Sequence, residues 1–126
     1  MIIDTDVLIW EFQGNPQAKK VIHANIPFSI SVVTYMEIVQ GMRNKVELNK
    51  FVKQIARWNV KIVQLNTEIS TMAMIYVEEY FLSHSMELAD SLIAATCIYK
   101  SDILLTGNAK HYKHIPNMQL KIFNPV

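Results

Sequence analysis

The sequence has a single cysteine, no marked excess of charge of either sign and no long apolar run. One thiol, Cys97, excludes an internal disulfide. Its setting in the apolar run 92–99 suits a small buried side chain in a protein kept in a reducing cytoplasm. A net charge of +1 means that no nucleic-acid partner can be read from overall charge; only a local basic patch could support one. No apolar stretch approaches the roughly 18 residues that a bilayer span requires. The N-terminus carries acids where a secretory signal would carry lysine, so neither membrane insertion nor export is expected. There is also no internal repeat, low-complexity segment or linker. The 126 residues therefore read as one domain, 1–126, large enough to bury a core without staples.

What the chain does have is apolar side chains, 51% of the total, with a mean hydropathy of +0.15. That is high for a free-standing domain and predicts apolar surface covered by another chain. The segment containing Met36, Met42, Phe51, Ile55 and Trp58 is the expected place, because methionine-rich surfaces repack readily around helical partners. The alternative is that these side chains form the core between two helices.

The pattern of apolar residues alternates between two periods. Met1, Ile2 and Ile3 form a short apolar run that suits a strand covered on both faces, and Asp4 ends it. Thr5 or Asp6 can cap the helix that Val7, Leu8 and Ile9 begin. Asn15-Pro16 starts a second helix running to Pro27. Residues 28–33 read as a strand, 34–41 as a helix, and 44–58 as an amphipathic helix with Leu48, Phe51, Val52 and Ile55 at helical spacing. A strand at 60–65 precedes a long helix capped by Asn66 or Thr67, with a core stripe of Ile69, Met72, Ala73, Tyr76, Val77 and Tyr80. Residues 87–98 form a helix apolar nearly all round, 102–106 a fourth strand, and 120–123 a short fifth at the edge. Alternation of this kind implies an α/β fold: three α/β/α layers, Rossmann-like, around a mostly parallel four- to five-stranded sheet. The ligand crevice of such a sheet lies at the strands' carboxyl edge.

The acids in this pattern are out of place for a purely structural role. Burying an ionised carboxylate without compensation costs at least several kcal/mol. Glu37 is the one charged residue between Phe28 and Gly41, and Asp90 lies in line with Ile93, Ala94 and Cys97 on the most apolar helix. Neither has a basic partner three or four residues away on its helix. Each could still be a structural acid bonded to a backbone amide. Together with Asp4 and Asp6 they converge if the crevice forms as argued, and carboxylates held together repel unless a metal neutralises them. All-oxygen ligands favour Mg²⁺ or Mn²⁺. A cation so held can generate hydroxide and stabilise charge on a phosphodiester without a nucleophilic side chain.

The segments Ile3-Asp4-Thr5-Asp6-Val7-Leu8-Ile9, Ser31-Val32-Val33-Thr34 through Glu37 to Gly41, Leu88-Ala89-Asp90-Ser91-Leu92-Ile93-Ala94-Ala95-Thr96, and Leu105-Thr106-Gly107-Asn108 with Lys110-His111-Tyr112 occur in this order. On them the chain resembles the PIN-domain nucleases, and within these the small VapC-type toxins of bacterial toxin–antitoxin pairs. The resemblance implies metal-dependent cleavage of RNA, with Asp4, Glu37 and Asp90 matching the family's metal-binding acids and Asp6 a commonly accompanying one. It also implies a homodimer and a cognate antitoxin that blocks the site; a second copy and an apolar segment of the antitoxin are then the partners expected on the apolar surface. One position departs from the pattern: Asn108 stands where many PIN domains carry a fourth acid. An amide can hold a metal-bound water or a phosphate oxygen but supplies no charge, which puts a second ion in doubt. Thr106 either orients a ligand or ends a strand. Lys110, His111, Lys113 and His114 form the basic cluster beside the expected crevice, and Arg43 follows the Glu37 helix; either could meet RNA phosphates or be a solvated face. Two other readings compete. Asp4-Thr5-Asp6 after a strand is similar to the acid pair of haloacid-dehalogenase-like phosphatases, although that leaves Glu37 and Asp90 unexplained. A non-catalytic binding module would keep the fold and act by binding RNA or protein.

Overall fold

The computed structural model describes residues 1–126. Its elements run β1 (Ile2–Ile3), α1 (Thr5–Phe12), α2 (Pro16–Ala24), β2 (Ser29–Ser31), α3 (Val32–Gln40), α4 (Lys45–Arg57), β3 (Lys61–Val63), α5 (Thr67–His84), α6 (Leu88–Lys100), β4 (Leu104–Thr106), a 3₁₀ turn (Ala109–His111) and β5 (Leu120–Ile122). All five strands are parallel, in the order β3-β2-β1-β4-β5. The expected α/β class and parallel sheet are thus present, with five strands and six helices.

Adjacent strand residues point to opposite faces, and the core follows that alternation. Ile3, Ile30 and Leu105 pack with Val7, Leu8, Ile22, Phe51 and Trp58 in one buried cluster. Ile2 and Leu104 pack on the other face with Ile93, Ala94, Cys97 and Tyr112. Helices therefore cover both sides of the sheet, and the central strands β1 and β4 bring their carboxyl ends side by side. Three helices are capped by asparagine: Asn15, Asn44 and Asn66 accept from the amides of Ala18, Glu47 and Ile69 at 2.8–2.9 Å, so that Asn66 rather than Thr67 caps α5.

Three sequence expectations need correction. The second strand stops at Ser31, and Val32 and Val33 are already helical. The Ser31 hydroxyl accepts from the Val33 amide at 3.1 Å, so a local cap outweighs β-branched propensity. At the end of β1 the helix cap is neither Thr5 nor Asp6 but Asp4 itself. The third correction concerns the expected partner surface. Phe51, Ile55 and Trp58 are buried in the core rather than presented outward. Phe51 meets Phe12 and Tyr35 at ring-centroid distances of 5.5 and 5.1 Å, and Trp58 meets Phe28 at 6.0 Å. Burying side chains of this size contributes roughly 1.5–3 kcal/mol each, which is why the stripe on α4 turns inward. Of that group Met36 alone is exposed. Other exposed apolar side chains are Ile9, Trp10 and Phe12 on α1, and Met74, Ile75, Phe81, Leu82 and Leu88 along α5 and the start of α6. No helix is long and apolar enough to cross a membrane.

Candidate active site

Asp4 follows β1 directly: its amide still donates to the Leu105 carbonyl of β4 at 2.9 Å, while its side chain caps the start of α1. One oxygen accepts from the Thr5 amide at 2.8 Å, and the other accepts from the Thr106 hydroxyl at 2.8 Å. Asp4 is almost wholly buried and Thr106 completely so. The Thr106 hydroxyl in turn accepts from the Asn108 amide at 2.9 Å, which ties the turn after β4 to the end of β1. Asp6, one residue into the first turn of α1, reaches the same turn: its Oδ2 accepts from the Gly107 amide at 2.9 Å. Its Oδ1 is buried with no hydrogen-bond partner. A side chain at Gly107 would place Cβ 2.6 Å from Asp6 Oδ2, so the close approach of Asp6 requires glycine there.

Asp90 enters from the first turn of α6. Its Oδ1 accepts from the Tyr112 hydroxyl at 3.2 Å and its Oδ2 lies 3.2 Å from His111 Nδ1. Tyr112 is fully buried, and its hydroxyl also lies close enough to Asp4 for the two groups to perturb each other's ionisation. It joins the two acids. Glu37 is attached from the other side: its Oε1 accepts from the Thr5 hydroxyl at 2.7 Å, and the buried Thr34 hydroxyl lies 2.9 Å from the same oxygen of Thr5. Glu37 lines an open groove of about 810 Å³ between α1, α3 and α4, along with Arg43. The Arg43 guanidinium is paired with Glu47 at 2.8 Å at the surface. Lys110 and His111 share a second pocket with Asp90, of about 330 Å³.

Charge is held here against its preference. Burial pushes the Asp4 carboxyl up to about 7, and the neighbouring charge of Asp6 adds to the rise, against the hydrogen bonds from Thr106, Thr5 and Tyr112. Burial also raises Asp6, opposed chiefly by the Gly107 amide, and raises Asp90, opposed chiefly by His111. Burial and the charges of Asp4 and Asp90 keep the Tyr112 hydroxyl protonated, so it donates. As the side chains lie, no three of His, Cys, Asp and Glu converge on a point where they could chelate an ion. Asp4, Glu37 and Asp90, the acids that the resemblance implies as metal ligands, each hold a protein partner in this arrangement. Glu37 is turned toward Thr5, while Tyr112 and His111 occupy the oxygens of Asp90. The donor chemistry still fits a hard dication: the oxygens of Asp4 and Asp6 are buried near each other, and the unpartnered Oδ1 of Asp6 is the kind of atom a cation satisfies.

Tyr112 is the site residue that sequence reasoning did not single out, although it lies in the motif carried by Lys110 and His111. A lone aromatic in a polar stretch gives no periodic signal. In the sequence Thr5 reads only as a candidate helix cap and Thr34 only as a helix residue.

The PIN domain family model matches residues 1–116. The chain belongs to the PIN-domain family. This PIN domain is also similar to solved structures over nearly its whole length. A chain of a toxin–antitoxin complex from Klebsiella pneumoniae is 25% identical, with a TM-score of 0.75 over 99% of this chain and 97% of that one. A chain of DNA-bound VapBC from Salmonella typhimurium is 18% identical, with a TM-score of 0.79 over 96% of each. A chain of VapBC2 from Rickettsia felis, bound to a DNA fragment from the promoter, is 20% identical, with a TM-score of 0.77 over 98% of each. A comparison with curated proteins finds no match. Membership of the PIN family removes the motive for reading Asp4 and Asp6 as a phosphatase acid pair. PIN nucleases generally use a divalent metal.

Proposed function

We propose that this PIN domain is a metal-dependent endoribonuclease and the toxin of a VapBC-like toxin–antitoxin pair. The observation that carries the reading is the buried, partly unpartnered acid pair Asp4–Asp6 beside Asp90, at the carboxyl edge of the two central strands. Family membership and the likeness to toxin–antitoxin complexes support it from outside. In this reading Asp4, Asp6 and Asp90 hold Mg²⁺ or Mn²⁺, with Glu37 facing the open groove. Bound there, the cation would supply charge stabilisation on the phosphodiester and acidify the attacking water. The rest is the work of the chain. Thr106 and the Thr5 amide fix the Asp4 carboxylate, Gly107 fixes Asp6, and the buried Tyr112 hydroxyl holds Asp90 toward Asp4. The Asn108 amide anchors Thr106, while its neutral side chain is free to bind a phosphate oxygen or water. Lys110, His111 and, on the Glu37 side, Arg43 are the cations available to RNA phosphates.

The exposed apolar faces support partners. The exposed Ile9 and Phe12 of α1 line the same groove as Glu37, and suit the apolar segment of an antitoxin that would cover the site. The α5–α6 edge suits a second copy of the chain. The expected setting is the cytoplasm.

Cleavage of a structured RNA mixture with and without Mg²⁺, by the wild type and by Asp90→Asn, tests the proposal. Metal-dependent cleavage lost in Asp90→Asn supports it. Cleavage unchanged in the variant would remove Asp90 from the site, and binding without cleavage in the wild type would point to a non-catalytic module instead.

A further inference from the structure

The chemistry above leaves one side-chain cluster unused. His84 ends α5 and His114 follows the 3₁₀ turn, and their rings lie face to face with centroids 4.2 Å apart and planes at 19°. The Tyr80 ring meets both edge-on, at 4.6 Å from His114 and 5.7 Å from His84. Ser83 Oγ lies 2.7 Å from His84 Nδ1 and so sets the rotation of that ring. His84 is exposed, whereas both nitrogens of His114 are buried without a partner. The lone pairs of stacked imidazoles lie in parallel planes and do not converge on one point, so this is not an ion site. It is an aromatic pair in which His84 is the solvent-exposed ring, stacked on the half-buried His114.

His84 lines the pocket of about 330 Å³ that also contains Glu87, Asp90, Lys110 and His111. A flat aromatic ring, a lysine and a carboxylate of the proposed catalytic centre thus share one cavity. Single-stranded nucleic acid is recognised by this combination: unstacked bases lie on aromatic side chains while cations follow the phosphates. We infer that the exposed ring of His84 is a stacking platform for a nucleobase flanking the phosphate at Asp90, with Lys110 on the adjoining phosphate and Glu87 accepting from the edge of the base. Every natural base carries an N–H donor that Glu87 could meet, so the subsite sets the position of the strand more than its sequence. The Ser83 contact and the His114 stack hold the platform in place before the strand arrives, which lowers the ordering cost of binding.

This inference rests on the RNA-cleavage reading, and its test separates the two. The probes are a short, fluorescently labelled, phosphorothioate-linked oligoadenylate that resists cleavage and an abasic strand with the same phosphates, each titrated with the full chain in Mg²⁺. The wild type is expected to bind oligoadenylate more tightly than the abasic strand. His84→Ala should weaken oligoadenylate by about 5- to 150-fold, the range for losing one stacked base, and leave the abasic strand unaffected. His84→Trp should restore oligoadenylate binding, which a folding defect at this position would not allow. Equal affinity of wild type and His84→Ala for oligoadenylate, or an equal loss on both strands, overturns the stacking platform while the nuclease reading stands. A wild type that binds neither strand overturns the RNA reading and this inference with it.

Discussion

Asp4 and Asp90 sit on either side of the Tyr112 hydroxyl, yet they are held in different ways. Asp4 is 4% exposed, and its partners are a backbone amide and a buried threonine at the end of the neighbouring strand. Asp90 has a side chain that is 26% exposed, and its partners are the side chains of His111 and Tyr112. The first is fixed by the sheet and cannot turn away from Asp6. The second can exchange partners, because His111 is itself 42% exposed and faces an open pocket. The sheet-bound half should therefore govern the response to protons and metal, and the α6 half the response to substrate.

The largest effect expected of that division is in Asp4→Asn. The amide keeps an oxygen for the Thr5 amide but no longer repels Asp6. Cleavage of RNA should fall by more than about 100-fold, beyond the loss seen when only an outer partner of a metal ligand is removed. The metal-free chain should melt higher than the wild type. A variant that cleaves normally, or melts lower without metal, would break the comparison.

Gly107→Ala acts on the same half more gently. The new Cβ pushes Asp6 from its amide while the backbone there needs no glycine-only conformation. Cleavage should drop by about 10- to 100-fold with little change in the metal-free melting temperature. Unaltered cleavage would remove Asp6 from the site.

The pH dependence of stability follows from the raised carboxyls. A group bound to its proton more tightly in the fold contributes stability that is fully present below its unfolded value, 3.8 for Asp4, and is lost as pH rises through about 7. Ionising Asp4 costs the metal-free fold on the order of 4 kcal/mol by this linkage. Asp6 and Asp90 are shifted in the same direction. Between pH 5 and pH 8 the melting temperature without metal should fall more in the wild type than in Asp4→Asn, and millimolar Mg²⁺ should recover more of it at pH 8 than at pH 5. Parallel pH profiles for the two proteins would contradict the assignment.

The smallest effect is at the exchangeable half. The partly exposed His111–Asp90 pair is worth at most about 1 kcal/mol, so His111→Gln should reduce cleavage by no more than about fivefold. Because His111 opposes the rise of the Asp90 carboxyl, the acidic limb of the pH–rate profile should move upward. A loss as large as that of Asp4→Asn would mean that both halves are equally rigid.

Much of this was legible in the order of residues. The period-2 and period-3.6 stretches locate the strands and helices, and the misplacement of Asp4, Glu37 and Asp90 in apolar segments marks them as site candidates without reference to a fold. What was not legible depends on faces and on distant partners. The stripe of Phe51 and Ile55 is visible as a stripe, but nothing in its spacing says that Phe12, Tyr35 and Phe28 cover that side of the domain. Val32 and Val33 carry strand propensity, and the Ser31 cap that overrides it is a single hydrogen bond. Tyr112 joins Asp4 and Asp90 across separations of more than a hundred and of 22 residues, which no local pattern encodes.

Titration of Mn²⁺ into the metal-free chain by calorimetry, at pH 8 and pH 5, tests most directly whether the buried acids form a metal centre. Since the ligands must shed protons that Asp4 holds up to about pH 7, the account predicts a site at pH 8 that weakens by at least about tenfold at pH 5 and disappears in Asp4→Asn. Mn²⁺ binding that is indifferent to pH, or that survives Asp4→Asn unchanged, would contradict it.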